Sequence, residues 1–183
     1  MEIMPVVLDA MPTNQLLIIL FQNIVNKMEE KNSFSFLELE AYPWLLTEPI
    51  RSEKLRGNVI VLYAFQMLCP SCILHGSPFA QKIHQTFADK GVKVIGIHTV
   101  FEHHNVMGPD ALETYLAEFR YSFPVVIDKH NSPHPIPDVM RRLELQGTPS
   151  FLLFDKAGNL RSHYFGPVDP LSFGYEIGKL IAE

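Results

Sequence analysis

Seven consecutive residues, Val59-Ile60-Val61-Leu62-Tyr63-Ala64-Phe65, run without a polar or charged interruption. A strand with one wet face alternates polar and apolar residues, so a continuous β-favouring run fits a strand buried on both faces. Both faces must then be covered, which a chain of 183 residues can do within one domain. Four positions past the run comes Cys69-Pro70-Ser71-Cys72, which holds both cysteines of the chain, and a helix is predicted beyond them, over Ser77 or Pro78 to Lys90. Phe79, Ile83 and Phe87 form its apolar stripe and Gly91 ends it.

The elements that follow alternate. Val92 to Ile97 reads as a second strand, Pro109 to Tyr121 as helix, Phe123 to Asp128 as a short strand and Pro137 to Leu145 as helix. Ser150 to Asp155 and Leu160 to Phe165 flank Lys156-Ala157-Gly158-Asn159, a hairpin signal, and Asp169 caps a last helix. Strand–helix alternation ending in a hairpin implies an α/β fold: a mixed sheet, parallel in its first half, with helices on both faces.

The N-terminal part differs. Pro5 and Pro12 break up its start, and a helix is expected from Thr13 or Asn14 to about Lys31. Leu16, Leu17, Leu20, Ile24 and Met28 recur at helical spacing, and Ile18, Ile19, Phe21 and Val25 widen the stripe. Such a face either docks on its own core or pairs with a second copy in a homodimer. Residues 1–56 are read as a helical arm and linker, and 57–183 as the main domain. The longest apolar run of the arm, residues 16–21, is far shorter than the roughly 20 residues a bilayer span needs. Glu2 and Asp9 precede it where a secretory signal carries positive charge. The chain is therefore expected to start at Met1 and to reside in the cytoplasm, without a membrane span. A net charge of −5 with no basic stripe argues against nucleic acid as a partner.

In a reducing compartment a lone Cys-x-x-Cys is catalytic or metal-binding more often than a structural staple. A helix N-terminus carries partial positive charge and unpaired N–H groups, which favour a thiolate on Cys69. One helical turn returns the second sulfur to the first, and Cys72, deeper in the helix, is expected to keep its proton. That division suits Cys69 to attack a disulfide and Cys72 to resolve the mixed disulfide. Pro70 sits where a missing N–H costs little, whereas Pro78 is expected to kink or restart the helix. A second signal is Gly147-Thr148-Pro149 before the strand at Ser150. Thr148–Pro149 is a candidate cis bond, which would offer the Thr148 backbone to an extended peptide beside Cys69.

The segments "NVIVLYAFQMLCPSC", "GVKVIGI", "SFPVVIDKH" and "LQGTPSFLLFDKAGNL" together resemble the thioredoxin fold. They are most similar to its redoxin branch, which includes thiol-specific antioxidant proteins and thiol–disulfide reductases. The resemblance covers about residues 57–181 and leaves the arm outside. It implies Cys69 as nucleophile, Cys72 as resolving thiol and Pro149 as the cis-proline, with Thr148 and Pro149 contacting substrate. The activity it implies is thiol–disulfide exchange with protein disulfides or low-molecular-weight thiols, with no bound cofactor. The chain departs from the pattern in places. Thioredoxins carry an aromatic residue before the first cysteine, where this chain has Leu68, and a buried carboxylate six positions before it, where this chain has Tyr63. The antioxidant pattern, Pro-x-x-x-Thr-x-x-Cys, meets Leu62 and Gln66 instead. A thiol peroxidase is therefore the secondary enzymatic reading, and a metal-binding or redox-sensing module is a third.

In "GIHTVFEHH", His98, Glu102 and His103 follow the second strand at the carboxyl end of the sheet, where open α/β sheets bind ligands. They are candidates for an acid or base in the exchange or for tuning it, with a metal site or solvated loop residues as the alternatives. His75 extends the motif to Cys-x-x-Cys-x-x-His, but no fourth ligand has matching spacing, so no metal ligand set is assigned. Tyr63, Phe65 and Trp44 are read as core aromatics.

Overall fold

The structure is a computed structural model that describes residues 15, 17–22, 33–130 and 134–183. The chain divides into two compact units, Met1–Asn32 and Ser33–Glu183. Of the first, residues 15 and 17–22 are helical, and the rest of the helix expected up to Lys31 lies outside the described residues.

The second unit is built on a mixed sheet of six strands: β1 (Trp44–Leu45), β2 (Val59–Phe65), β3 (Val92–His98), β4 (Val125–Ile127), β5 (Ser150–Phe154) and β6 (Leu160–Phe165). Their order is β1-β4-β3-β2-β5-β6. The pairs β2/β3 and β3/β4 are parallel, whereas β1/β4, β2/β5 and β5/β6 are antiparallel. This is the α/β sheet read from the sequence, parallel in its first half and closed by a hairpin. That hairpin turns at Gly158, whose φ of +90° is open to glycine, while Asp155 Oδ1 accepts the N–H groups of Ala157 and Asn159.

The seven side chains of β2 are all buried, and they alternate between two cores. Val59, Val61, Tyr63 and Phe65 face α1 (Ser77–Phe87), α2 (Pro109–Glu118) and α4 (Pro170–Ala182) through Ala80, Ile83, Leu112, Leu116, Phe173 and Ile177. Ile60, Leu62 and Ala64 face the other way, toward α3 (Asp138–Arg142) and residues from 34 to 55. Each fully buried aliphatic side chain contributes roughly 1.5–3 kcal/mol, so this strand anchors both layers.

Residues 33–56, read from the sequence as linker, take part in this packing. Phe34, Leu37, Leu39, Tyr42 and Leu55 are buried in the second core, and β1 pairs with β4 through Trp44↔Val126. Three short 3-10 turns and a two-residue strand carry them, and none is long enough to imprint a period on the sequence. Trp44 belongs to that core, its Nε1 donating to the Leu39 carbonyl at 2.8 Å. Helix α3 is shorter than expected, and its start is held by Asp128, whose carboxylate accepts the N–H groups of Val139 and Met140 at 2.8 and 3.1 Å. Among the described residues no helix is long and apolar enough to cross a membrane.

Gly96, on β3, makes room for the aromatic layer beneath the site. A Cβ there would meet Phe123 Cε2 at 2.9 Å and Phe65 Cε1 at 3.2 Å. Gly96→Ala is expected to lower the urea-unfolding free energy by about 1–3 kcal/mol, because ring atoms pinned in a packed core must move. An unchanged midpoint would show that the layer has slack.

Candidate active site

Strand β2 stops at Phe65 and the chain turns at once. The Gln66 carbonyl accepts the Cys69 N–H at 3.1 Å, closing the turn. The Cys69 carbonyl then accepts the Ile73 N–H at 3.0 Å, which starts a helix. Cys69 thus stands at a helix tip, half-buried, with Cys72 one turn further in and fully buried. The backbone N–H of Cys72 points at Cys69 Sγ from 3.4 Å, as donors at a helix N-terminus do.

The helix does not break at Pro78. It widens one turn earlier, into a π-helical turn over Cys72–Gly76, and continues as α1. A wide turn relieves what a proline imposes, a missing N–H and a ring pressed on the preceding turn. Gly76, on this turn, is enclosed: a Cβ there would lie 2.5 Å from the Tyr63 hydroxyl oxygen and 3.0 Å from Pro149 Cβ. Glycine therefore lets the cysteine turn close down on β2 and on the segment before β5.

That segment completes the site. The Thr148–Pro149 peptide bond is cis, and the Thr148 carbonyl accepts from Cys69 Sγ at 3.5 Å. Residues 79 positions apart in the chain thus meet because β5 lies directly beside β2 in the sheet. The sulfurs have opposed surroundings. Burial, above all, pushes the Cys72 thiol up to about 12; the adjacent Cys69 sulfur adds to this, while hydrogen bonds from the Gln66 backbone and Thr148 oppose it. At neutral pH Cys72 carries its proton, and Cys69 is the more exposed of the two sulfurs. The rim is partly apolar, with Leu68 and Leu74 exposed, and a groove of about 230 Å³ runs past Leu74, His75, Gly76, Phe79 and Pro167.

The histidine loop separates into distinct roles. His98 pairs with Phe65 at the end of β3 and is buried. Its Nε2 accepts the Met67 N–H at 3.3 Å, so the ring braces the turn that leads to Cys69. Glu102 and His103 are exposed; Glu102 accepts from Gln66 Nε2 at 3.3 Å, and His103 adopts a left-handed φ of 51°. Among the described residues no group of three or more His, Cys, Asp or Glu side chains could hold a metal ion, and His75 is exposed.

Two participants escaped the sequence reading. Gln66 joins the cysteine turn to the loop after β3, its Oε1 accepting the Phe101 N–H at 3.2 Å. Tyr63 carries a buried hydroxyl 2.9 Å from Ser77 Oγ, and Tyr115 donates to the same oxygen at 3.2 Å. The one signal for the latter was that Tyr63 stands where the resemblance expects a carboxylate; nothing in the sequence links it to Ser77 or Tyr115.

A sheet of this order, with a dicysteine turn after the central strand and a cis-proline before its antiparallel neighbour, is the thioredoxin-like arrangement of the redoxins. The model of the AhpC/TSA family matches residues 37–163, and the chain belongs to that family. A thiol-disulfide isomerase from Corynebacterium glutamicum is 45% identical, with a TM-score of 0.75, covering 77% of this chain and 92% of that one. The thioredoxin-like superfamily protein SPOA0173 is 46% identical at a TM-score of 0.74, over 77% and 92% of the two chains. Among curated proteins, the thioredoxin-like protein SkfH of Bacillus subtilis is 28% identical over 127 residues, which is 69% of this chain and 82% of SkfH.

Burial holds His98 down at about 4, from an ordinary value of 6.5. Unfolding returns it to water, so between pH 6.5 and 4 the unfolded chain binds the extra proton and stability falls as pH drops. Its share is on the order of 3 kcal/mol by the bottom of that window. His98→Gln, which keeps an acceptor for Met67, is expected to flatten the decline of melting temperature over that range. A decline as steep as the wild type's would contradict this.

Proposed function

We propose that the protein is a thiol–disulfide oxidoreductase in which Cys69 attacks and Cys72 resolves. The observation that carries this reading is the asymmetry of two sulfurs on one helical turn. Cys69 is half-exposed and receives the Cys72 N–H, whereas Cys72 is sealed and protonated. The Cys69 thiolate adds to one sulfur of a partner disulfide, and the partner's other sulfur departs as thiolate. Cys72, giving up its proton, then attacks Cys69 Sγ; the Cys69–Cys72 bond forms, the mixed disulfide breaks and the second partner sulfur leaves with the electron pair. The pair ends oxidised and the partner reduced; the reverse sequence oxidises a partner dithiol.

The substrates in this reading are protein disulfides or low-molecular-weight thiols. The exposed Leu68 and Leu74 suit a protein surface, and Thr148 and Pro149 would flank an extended substrate chain. The description of the Corynebacterium relative as a thiol-disulfide isomerase supports exchange chemistry. A cytoplasmic location fits the reading, since a reducing thiol pool would return the pair to its dithiol form. Thiol peroxidation is the weaker alternative. Gln66 occupies the position of the pattern's threonine, and its amide is engaged by Phe101 and Glu102.

Cys69→Ser is expected to reduce insulin at the uncatalysed rate. Cys72→Ser is expected to accumulate mixed disulfides, visible as mass adducts under non-reducing conditions. Two variants as fast as the wild type would refute the assignment, and rapid thiol-dependent consumption of hydroperoxide would favour the alternative.

A further inference from the structure

The closing step makes a demand that the two sulfurs do not meet alone: Cys72 must become a thiolate inside the protein. Around it three elements bring hydroxyl groups together. Tyr63 on β2 has no exposed surface, and its oxygen lies 2.9 Å from Ser77 Oγ at the start of α1. Tyr115 on α2 donates to that same Ser77 oxygen at 3.2 Å. Gly76 is the neighbour that admits the Tyr63 hydroxyl beneath the cysteine turn, since any side chain there would collide with it. The Ser77 N–H also donates to the Cys72 carbonyl, which sets the Tyr63–Ser77 pair one π-helical turn from Cys72.

Packing accounts for the Tyr63 ring but not for its oxygen. The ring stacks on Phe65 and Phe151, with centroids 5.1 and 4.7 Å away, and phenylalanine would fill that space equally well. A hydroxyl taken fully out of water costs free energy unless it is bonded, and here two further buried hydroxyls surround it.

We propose that Tyr63, aligned by Ser77 and Tyr115, is a catalytic residue of the closing step, its O–H donating to Cys72 Sγ as negative charge develops there. This rests on the assignment of Cys69 and Cys72 as the exchanging pair. Tyr115 donates to Ser77, Ser77 donates to the Tyr63 oxygen, and Tyr63 donates to sulfur, so the three dipoles point the same way and reinforce one another. The Cys72 proton passes to solvent. The freed electron pair forms the bond to Cys69 Sγ, the bond from Cys69 to the partner breaks, and the partner sulfur takes a proton from solvent. Burial foremost holds Tyr63 and Tyr115 above the ordinary tyrosine range, so both remain protonated donors. The titratable groups that face Cys72 are Cys69 on its own turn, Tyr63 from β2 and Tyr115 from α2. Tyr63 thus stands in the place of the buried carboxylate of thioredoxins and acts differently, as a fixed donor and not as a base.

Single-turnover reaction with Ellman's reagent separates the two steps. Attack by Cys69 releases one thionitrobenzoate, and closure by Cys72 releases the second. Tyr63→Phe is expected to leave the first phase unchanged. It should slow the second about 10-fold or more, the usual effect of losing a hydrogen bond to a charged group, and shift its pH–rate curve to higher pH. Ser77→Ala, which keeps the tyrosine but misaligns it, should slow the second phase roughly 3-fold. Equal second-phase rates in Tyr63→Phe and wild type at every pH overturn the proposal and leave the cysteine pair standing. If Tyr63→Phe lacks a cooperative melt, Ser77→Ala decides: a slowed second phase supports the proposal and an unchanged one overturns it. A wild type that releases no second equivalent removes both the pair's assignment and this inference.

Discussion

Strand β2 has no side that faces water. Its odd-numbered residues belong to one core and its even-numbered residues to the other, and it pairs with β3 on one edge and β5 on the other. The site follows from that position. A strand held on four sides ends at a fixed point, so the turn at Gln66 delivers Cys69 to one place at the top of the sheet. The parallel neighbour β3 brings His98 to the same level, where it accepts the Met67 N–H, and the antiparallel neighbour β5 follows directly on the proline that meets the cysteine turn. Loss of burial on either face would loosen all three at once.

The second organising constraint is the unequal treatment of two chemically identical side chains. Cys69 and Cys72 differ by one turn of helix, yet one lies at the tip with an N–H aimed at its sulfur and the other is fully buried. The π-helical turn is where that difference arises. It lets the helix pass Pro78 without breaking, and it puts Gly76 rather than a bulkier residue against the Tyr63 oxygen. Backbone geometry and burial thus give two identical thiols different surroundings.

How much of this was legible in the sequence can be judged from particular elements. Val59–Phe65 coincides with β2, and Leu160–Phe165 with β6, because buried runs and a Gly-containing hairpin leave strong local patterns. Helix ends were less visible. Helix α2 stops at Glu118 rather than Tyr121 and α3 at Arg142 rather than Leu145, since Arg120 and Glu144 turn to left-handed φ values of 56° and 53°. Residues 33–56 were read as linker, although their apolar side chains complete the second core, because short irregular turns have no period.

Sequence by itself determined the order of elements, the buried central strand, the cysteines at a strand-to-helix joint and the proline opening a later strand. All of these are local, written in periodicity, in Gly and Pro and in spacing along the chain. Tertiary structure alone decided that His98 braces a turn with its ring neutral, and that Tyr63 and Tyr115 meet at the buried Ser77 hydroxyl beneath the cysteine turn. Those facts depend on distances between residues 14 to 38 positions apart, and such distances exist only once the sheet order has brought separate elements together.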